Sequence, residues 1–159
     1  MIRSSSSLPP AEVSQALRES NQEVITAEPL DIVALLSNAH HPAAGAIVLF
    51  SGEVRDHNKG KEVAYLEYEA YPPLAVKMIH EILAEAREKW GLQLAIAQHR
   101  TGRLDVGGSA VAVITAAAHR REAYEANQHI IHRIKHEVPI WKCEYFSDGT
   151  HQWGNNCNC

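Results

Sequence analysis

The alternation of apolar and polar positions along the chain predicts strands that are separated by helices. Residues 46–50 are a continuous apolar run, AIVLF, whose length predicts a strand buried on both faces. Residues 63–71 alternate between apolar and polar side chains, which is typical of a strand with one exposed face. Further strands are predicted at residues 23–27, 92–98, 110–117 and 140–146.

Two long helices are predicted from apolar residues that recur at three- and four-residue steps. The first begins at Pro72 and Pro73, because proline fits the first turn of a helix, and ends at the capping Gly91. The second runs from about residue 118 to Pro139, which stops it because proline lacks an N–H. A short helix at residues 29–39 precedes both. The two apolar faces consist of Val76, Ile79, Leu83, Ala86 and Trp90, and of Ala123, Ala126, Ile130, Ile131 and Ile134.

These elements predict an α/β or α+β fold in which helices pack on a sheet. The 159 residues, of which 45% are hydrophobic and 21% charged, fit one globular domain. We assign residues 23–150 to that domain and residues 151–159 to a C-terminal tail. Residues 1–22 contain a serine run and a Pro-Pro pair without sustained periodicity, and we expect a mostly disordered extension there.

Composition and motifs exclude several classes of protein. The net charge of -4 argues against a general nucleic-acid binder. No apolar run reaches the roughly 18 residues of a spanning helix, and the N-terminus lacks the apolar segment of a secretory signal, so we expect no membrane contact and a cytoplasmic location. No GxSxG, P-loop or dinucleotide fingerprint occurs. The odd count of three cysteines does not predict a disulfide framework, and we interpret Cys157 and Cys159 as a tail feature rather than a site for a soft metal or disulfide exchange.

Basic residues are concentrated in residues 118–146. A helix that opens with His119, Arg120 and Arg121 places positive charge at its positive dipole end, which favours a bound anion. The alternative is an ordinary solvated face. The loop at residues 51–60 adds Arg55 where ligand contacts are common, although its turn chemistry also predicts a hairpin. The pattern indicates an anion-binding site built from Arg55, His119, Arg120, Lys135 and Lys142.

Metal and thiol chemistry are the competing interpretations. His129, His132 and His136 share one face of the second long helix at metal-ligand spacing. Because no clear fourth ligand accompanies them, we expect no metal site. Cys143 is either a sulfur-carrying nucleophile whose pKa is lowered by Lys142 or a packing residue of an apolar strand, and we favour packing.

The chain resembles the catalytic (large) subunit family of molybdopterin synthase over about residues 45–144. The resemblance rests on GEVRDHNKG at residues 52–60, EYEAYPP at 67–73, AHR at 118–120, Lys135, and PIWKCE at 139–144. It implies a hammerhead-like single catalytic domain with helices on a mixed, mainly antiparallel sheet. It also implies transfer of sulfur to cyclic pyranopterin monophosphate, which makes the dithiolene of molybdopterin in molybdenum cofactor biosynthesis. The implied donor is the C-terminal thiocarboxylate of a small ubiquitin-like subunit, and no cofactor is implied.

The family's site positions carry over residue by residue. Lys135 and Lys142 correspond to catalytic positions, and the sequence leaves open which lysine acts in acid–base or covalent chemistry. Arg55, His119 and Arg120 are suited to holding the substrate phosphate by charge-assisted hydrogen bonds. The implied substrate-binding positions are Glu53, Val54, Arg55, His119, Arg120, Lys135, Lys142, Cys143 and Glu144.

Helix geometry adds a prediction about assembly. Arg120 and Lys135 are 15 residues apart, which is roughly 22 Å along a continuous helix. Because the resemblance assigns both residues to a single pocket, we predict a pocket shared across a homodimer. The resemblance also implies a heterotetramer that includes two small subunits. A helix break near Gln128, or a role for Arg120 outside the pocket, is the alternative. Two other functions remain open: a non-catalytic phosphate-binding or scaffolding module, and a persulfide sulfurtransferase that uses Cys143.

Overall fold

The computed structural model describes residues 23–155, so the predicted extension at residues 1–22 and the last four residues of the tail lie outside it. Both predicted long helices and all the predicted strands are confirmed, with small differences in their ends. In chain order the elements are β1 (Ile25–Thr26), α1 (Ile32–Ser37), β2 (Ala46–Glu53), β3 (His57–Asn58), β4 (Lys61–Ala70), α2 (Pro72–Trp90), β5 (Leu94–Arg100), β6 (Gly102–Asp105), β7 (Ser109–Ala117), α3 (Arg120–Glu137), β8 (Ile140–Phe146) and β9 (His151–Asn155).

The strands form two sheets. The first has the order β1-β5-β7-β2, and the second has the order β3-β4-β8-β9 with β6 paired to β4. Within the described part of the chain β1 pairs with β5 in parallel, and the other strand pairs are antiparallel. The predicted α/β class with mixed, mainly antiparallel pairing is therefore confirmed.

Helices cover both faces of the first sheet. The long helices α2 and α3 contact each other, and α3 packs on β7 and β2 while α2 packs on β5. Their shared core includes Ile79, Ile130 and Ile134, all fully buried. The short α1 packs through Leu35 on a smaller apolar cluster with Ile114 of β7. Because β7 has helices on both sides, it is the strand with the buried, small and β-branched sequence.

The structure corrects one strand prediction and adds two strands. Segment β2 was expected to be buried on both faces, but most of its residues are only half-buried, since β2 is the edge strand of the first sheet. Its apolar side chains lie against α3 and the α1 cluster rather than between two neighbouring strands. Strand β6 lies between the strands predicted at residues 92–98 and 110–117, where the sequence predicts no strand, and the predicted tail contains β9. Both strands are short, and periodicity is a weak signal at such lengths.

The ends of the helices follow local chemistry. The helix predicted to start at Pro29 begins at Ile32 instead. The Asp31 side chain caps it by accepting a 2.9 Å hydrogen bond from the Ala34 N–H. Gly91 ends α2 in the left-handed conformation at φ 60°. Helix α3 is continuous from Arg120 to Glu137, so the break near Gln128 does not occur. None of the helices in residues 23–155 is long and apolar enough to cross a membrane.

Candidate active site

The floor of the candidate site is one face of the second sheet. Side chains alternate along β4 and β8, and the register pairs Leu66 with Glu144 and Tyr68 with Lys142. These four side chains therefore lie on the same face, and all four line a cavity of about 140 Å³. The sheet register thus places a lysine and a glutamate of β8 beside a tyrosine of β4.

The rest of the cavity comes from three other segments. Lys135 enters from the last turn of α3, and Glu53 and Arg55 come from the end of β2 and the residues after it. The antiparallel hairpin β3–β4 contributes the next group of side chains. The lining residues are Glu53, Arg55, His57, Asn58, Val63, Leu66, Tyr68, Lys135, Lys142 and Glu144.

Lys142 and Glu144 form a buried ion pair. The Lys142 Nζ lies 3.1 Å from Glu144 Oε1, and only 11% and 10% of the two side chains are exposed. Asn58 Nδ2 donates hydrogen bonds of 2.8 and 2.7 Å to the two carboxylate oxygens of Glu144. Because this pair neutralises itself, the attraction for an anion comes from the other two cations of the cavity, Arg55 and Lys135.

Lys135 is the cation that the protein environment disfavours. Partial burial lowers the pKa of its ammonium group, and the positive charges of Lys142 and Arg55 lower that pKa further. A lysine with a lowered pKa exchanges its proton more readily at neutral pH than an exposed lysine does. Lys135 is therefore suited to proton transfer, and Arg55 adds to its attraction for an anion bound in the cavity.

Tyr68 and His99 are the neutral groups beside this charge cluster. Burial, together with the nearby Glu144 carboxylate, raises the pKa of Tyr68 to about 12, so its hydroxyl remains a hydrogen-bond donor. His99 is fully buried on β5, with its ring 5.0 Å from the Tyr68 ring. Burial is the main cause that lowers the pKa of His99 to about 4, and the charge of Lys135 acts in the same direction. The wall behind the lysines thus carries no further positive charge from His99 at neutral pH.

The structure brings together some of the residues that the sequence proposes. Glu53, Arg55, Lys135, Lys142 and Glu144 all line the cavity. The remaining four proposed positions, Val54, His119, Arg120 and Cys143, are not among the lining residues.

Each of these four residues lies elsewhere for a structural reason. Val54 is buried in the main core, and its N–H donates to the carbonyl of Gly108. Cys143 points to the opposite face of β8, since it lies between Lys142 and Glu144 in the strand. His119 and Arg120 are exposed at the start of α3, at the opposite end of the continuous helix from Lys135.

Cys143 has the environment of a packing residue. The side chain is fully buried, and burial is the main cause that raises the pKa of its thiol. A reactive cysteine requires a lowered pKa and access to its substrate. Neither condition is met at Cys143, so the structure favours the packing interpretation. Cys157 and Cys159 lie outside the described residues.

The three histidines of α3 do not converge. His129 packs at 5.0 Å against the Trp90 ring of α2, whereas the rings of His132 and His136 lie 4.0 Å apart. His136 Nδ1 also lies 2.8 Å from the carbonyl oxygen of His132. Among residues 23–155 no group of three or more histidine, cysteine, aspartate or glutamate side chains is arranged to hold a metal ion.

Sequence reasoning missed the contributions of Asn58, His57 and Tyr68. Asn58 and His57 belong to the polar loop at residues 51–60, where the sequence pattern predicts only a turn for them. Asn58 contacts Glu144 across 86 positions of sequence, and nothing local signals such a contact. Tyr68 is one of several alternating residues of β4, and only the pairing with β8 shows which of them faces the lysines.

Comparison with known proteins shows which family and which solved structures this chain is similar to. A family model described as "MoaE protein" matches residues 25–137. The molybdopterin synthase catalytic subunit of Bacillus subtilis (strain 168) is 46% identical over 129 residues, which are 81% of this chain and 82% of that protein. The crystal structure of molybdopterin synthase from Staphylococcus aureus has a TM-score of 0.77 and 39% identity, and the match covers 82% of this chain and 95% of that one. A complex of subunits 1 and 2 of molybdopterin-converting factor from Helicobacter pylori shares the fold, with a TM-score of 0.68 at 23% identity over 82% of this chain and 88% of that one.

Proposed function

The chain belongs to the MoaE protein family, and from this membership we propose that the cavity around Arg55, Lys135 and Lys142 is its sulfur-transfer site. Its relatives are catalytic subunits of molybdopterin synthase, so the chain is a sulfurtransferase of molybdenum cofactor biosynthesis. The substrate that we assign to the cavity is cyclic pyranopterin monophosphate. The donor that we assign is the C-terminal thiocarboxylate of a small ubiquitin-like partner subunit.

One observation carries this proposal: Lys135 is partly buried between two further cations, Arg55 and Lys142. The planar guanidinium of Arg55 suits bidentate contact with a phosphate. Lys142 Nζ is held in place by Glu144 Oε1, which lies 3.1 Å away. The site thus combines a phosphate-binding group, a fixed cation and a lysine with a lowered pKa.

These three groups support a sequence of bond changes. The sulfur of the thiocarboxylate displaces an oxygen substituent from a carbon of the pterin side chain, so that a C–S bond forms as a C–O bond breaks. The bond between that sulfur and the glycine carbonyl then breaks as a water oxygen adds to the carbonyl, which leaves a carboxylate on the partner and a thiolate on the pterin. Lys135 accepts one proton of this water, and the other passes to solvent. Lys142 stabilises the negative charge that develops on the carbonyl oxygen.

The cavity of a single chain is too small to complete the site. Its volume of about 140 Å³ is below the roughly 300 Å³ at which ordinary small-molecule sites begin. His119 and Arg120, which the family resemblance assigns to the substrate, lie at the other end of α3. A homodimer in which one chain supplies these two residues to the cavity of the other removes both difficulties. With a small subunit at each site the assembly is a heterotetramer.

Reconstitution tests the proposed activity. The purified chain is mixed with the thiocarboxylated partner and pyranopterin phosphate, and the dithiolene product is measured. A phosphate-binding scaffold would bind the pterin without forming product. The partner with an ordinary C-terminal carboxylate is the control for sulfur supply. A partner that lacks its last two residues should still dock but should not donate sulfur, and donation by this truncated form would contradict the insertion of its tail into the cavity.

The same assay separates thiocarboxylate chemistry from persulfide chemistry. Since Cys143 points away from the cavity, Cys143→Ala is expected to retain sulfur transfer. Loss of transfer in a variant that keeps its melting temperature would instead support the persulfide route.

A further inference from the structure

Asn58 lines the cavity from a tight hairpin. The short strand β3 pairs with β4 through Asn58 and Lys61, and the two residues between them close the turn. These residues, Lys59 and Gly60, have φ angles of 49° and 77°, which is the backbone of a type I′ turn. The turn fixes the direction in which Asn58 leaves the backbone.

The side chain of Asn58 makes a contact that the sheet itself does not require. In the sheet order β4 separates β3 from β8, yet Asn58 Nδ2 donates to both carboxylate oxygens of Glu144. The same Oε1 that receives one of these bonds also contacts Lys142 Nζ at 3.1 Å. Hydrogen bonds to both oxygens fix the plane of the carboxylate as well as its position. Asn58 therefore determines where the negative charge lies relative to Lys142.

The position of this charge affects both lysines of the site. Lys142 and Lys135 repel each other, and Glu144 compensates the charge of Lys142 only while it stays beside that ammonium group. If the Glu144 carboxylate turned away, its negative charge would no longer compensate the positive charges of Lys142, Lys135 and Arg55 in the cavity. The electrostatic environment of Lys135 thus depends on a carboxylate that Asn58 holds in place.

We propose that Asn58 is a positioning residue for sulfur transfer, holding Glu144 on Lys142 so that Lys142 stays oriented and Lys135 is the lysine that exchanges its proton. This inference rests on the proposed function, because it deepens the roles assigned to the two lysines. Asn58 acts through Glu144 and does not itself contact the reacting atoms. The charged and titratable groups that face the lysines are Glu53 and Arg55 from β2 and the segment after it, His57 from β3, Tyr68 from β4, His99 from β5 and Glu144 from β8.

Steady-state kinetics of Asn58 variants test this proposal. Asn58→Ala should lower kcat at least about tenfold and change KM for the pterin substrate less than about twofold, because the side chain positions a catalytic group rather than the substrate. The double variant Asn58→Ala with Glu144→Gln should be no slower than Glu144→Gln alone, since Asn58 has no other route of action. Lys59→Asn is the control, because it keeps the type I′ turn and the Asn58 amide, and it should leave activity unchanged.

Asn58→Asp gives a readout that a purely structural role would not produce. A carboxylate of nearly the same shape would face Glu144, and two close carboxylates raise the pKa of one of them. At lower pH a shared proton restores a hydrogen bond, so the activity of this variant relative to wild type should rise from pH 8 to pH 6. An activity ratio that stays constant from pH 8 to pH 6 would contradict the proposal. An effect of Asn58→Ala on KM alone would also contradict it, as would a double variant in which the activity losses of Asn58→Ala and Glu144→Gln multiply.

A titration that does not depend on activity separates this inference from the proposed function. Lysine side chains labelled with ¹³C at Cε are titrated by NMR in the wild type and in Asn58→Ala. With Glu144 released, Lys135 should lose its proton at lower pH in the variant, and an unchanged titration of Lys135 would overturn the positioning role. If the wild-type chain transferred no sulfur in the reconstitution assay, the proposed function would be wrong. The NMR titration would still decide whether Asn58 affects Lys135 through Glu144.

Discussion

Single residues of the site differ in what their removal would do to stability. Substitution of an exposed lysine usually changes stability by only about 0.5 kcal/mol. The structure buries Lys142 against Glu144 instead. Lys142→Ala would remove the ammonium group from a buried carboxylate, so we expect it to lower the free energy of unfolding by about 2 kcal/mol in addition to abolishing turnover. Thermal unfolding of Lys142→Ala beside Lys142→Ala/Glu144→Gln measures this, and the double variant should recover part of the loss.

Lys135 has the opposite effect on stability. Its pKa is lowered in the folded chain, so between that lowered pKa and the ordinary value of 10.5 the unfolded chain binds more protons. Folding is therefore disfavoured by this group at neutral pH, and the cost is relieved as the pH rises through this window. We expect Lys135→Met to unfold at a higher temperature than wild type at pH 7, with a difference that shrinks toward pH 10.5. A difference that grew with pH would contradict the assigned environment.

His99 should control part of the acid sensitivity of the fold. Its pKa of about 4 in the folded chain lies below the unfolded value of 6.5, so the unfolded chain binds more protons between these values. Stability is consequently lost as the pH falls from about 6.5 to 4. His99→Gln should flatten this part of the stability profile in urea unfolding. The exposed His80 is the matched control, and His80→Gln should leave the profile unchanged.

At the scale of elements, α3 is fixed to the first sheet by a buried amide. Asn127 Nδ2 donates 3.0 Å hydrogen bonds to the carbonyls of Val48 on β2 and Val113 on β7. Asn127→Leu would leave these carbonyls without that donor, and we expect it to lower the free energy of unfolding by about 2 kcal/mol. Gln128→Leu, at the next and exposed position of α3, is the control and should change the free energy by less than about 0.5 kcal/mol. Equal effects of the two variants would remove the special role of Asn127.

The elements that the sequence predicts correctly are those with strong local signals. Helix α2 has prolines at its start and a glycine at its end, and α3 has a regular apolar face that stops before Pro139. Strands β6 and β9 are set by pairing with β4 and β8, which no local pattern specifies. The half-exposed state of β2 depends on its place at the edge of the sheet, and an apolar run does not reveal that place.

Local sequence pattern also predicts only part of the candidate site. Arg55, Lys135 and Lys142 stand out because cations near a helix end or a buried strand suggest an anion site. The function of Asn58 and Tyr68 depends on strand register and on a contact between residues far apart in sequence. Local pattern therefore identifies the charges of the site, whereas the groups that orient them follow from tertiary structure.

At the scale of the whole molecule, the continuous helix α3 sets the geometry of the proposed assembly. Arg120 and Lys135 lie at opposite ends of this helix, roughly 22 Å apart at 1.5 Å per residue. Only Lys135 lines the cavity of its own chain, although the family resemblance assigns both residues to one substrate. A two-fold assembly lets each cavity take its Arg120 from the second chain, because an isologous interface repeats the same contact at both sites.

Mixed dimers test this arrangement. Arg120→Ala and Lys135→Ala are each expected to be nearly inactive in sulfur transfer, since each homodimer then lacks the same group at both sites. A heterodimer of the two variants places both defects in one of its cavities and leaves the other cavity intact. Random mixing forms such heterodimers in about half of the molecules, so activity should recover to about one quarter of the wild-type value. Differently tagged chains purified in tandem confirm that heterodimers have formed and should show about half of the wild-type activity per dimer. If purified heterodimers stay inactive, each cavity uses residues of a single chain, and Arg120 acts outside the cavity that holds Lys135.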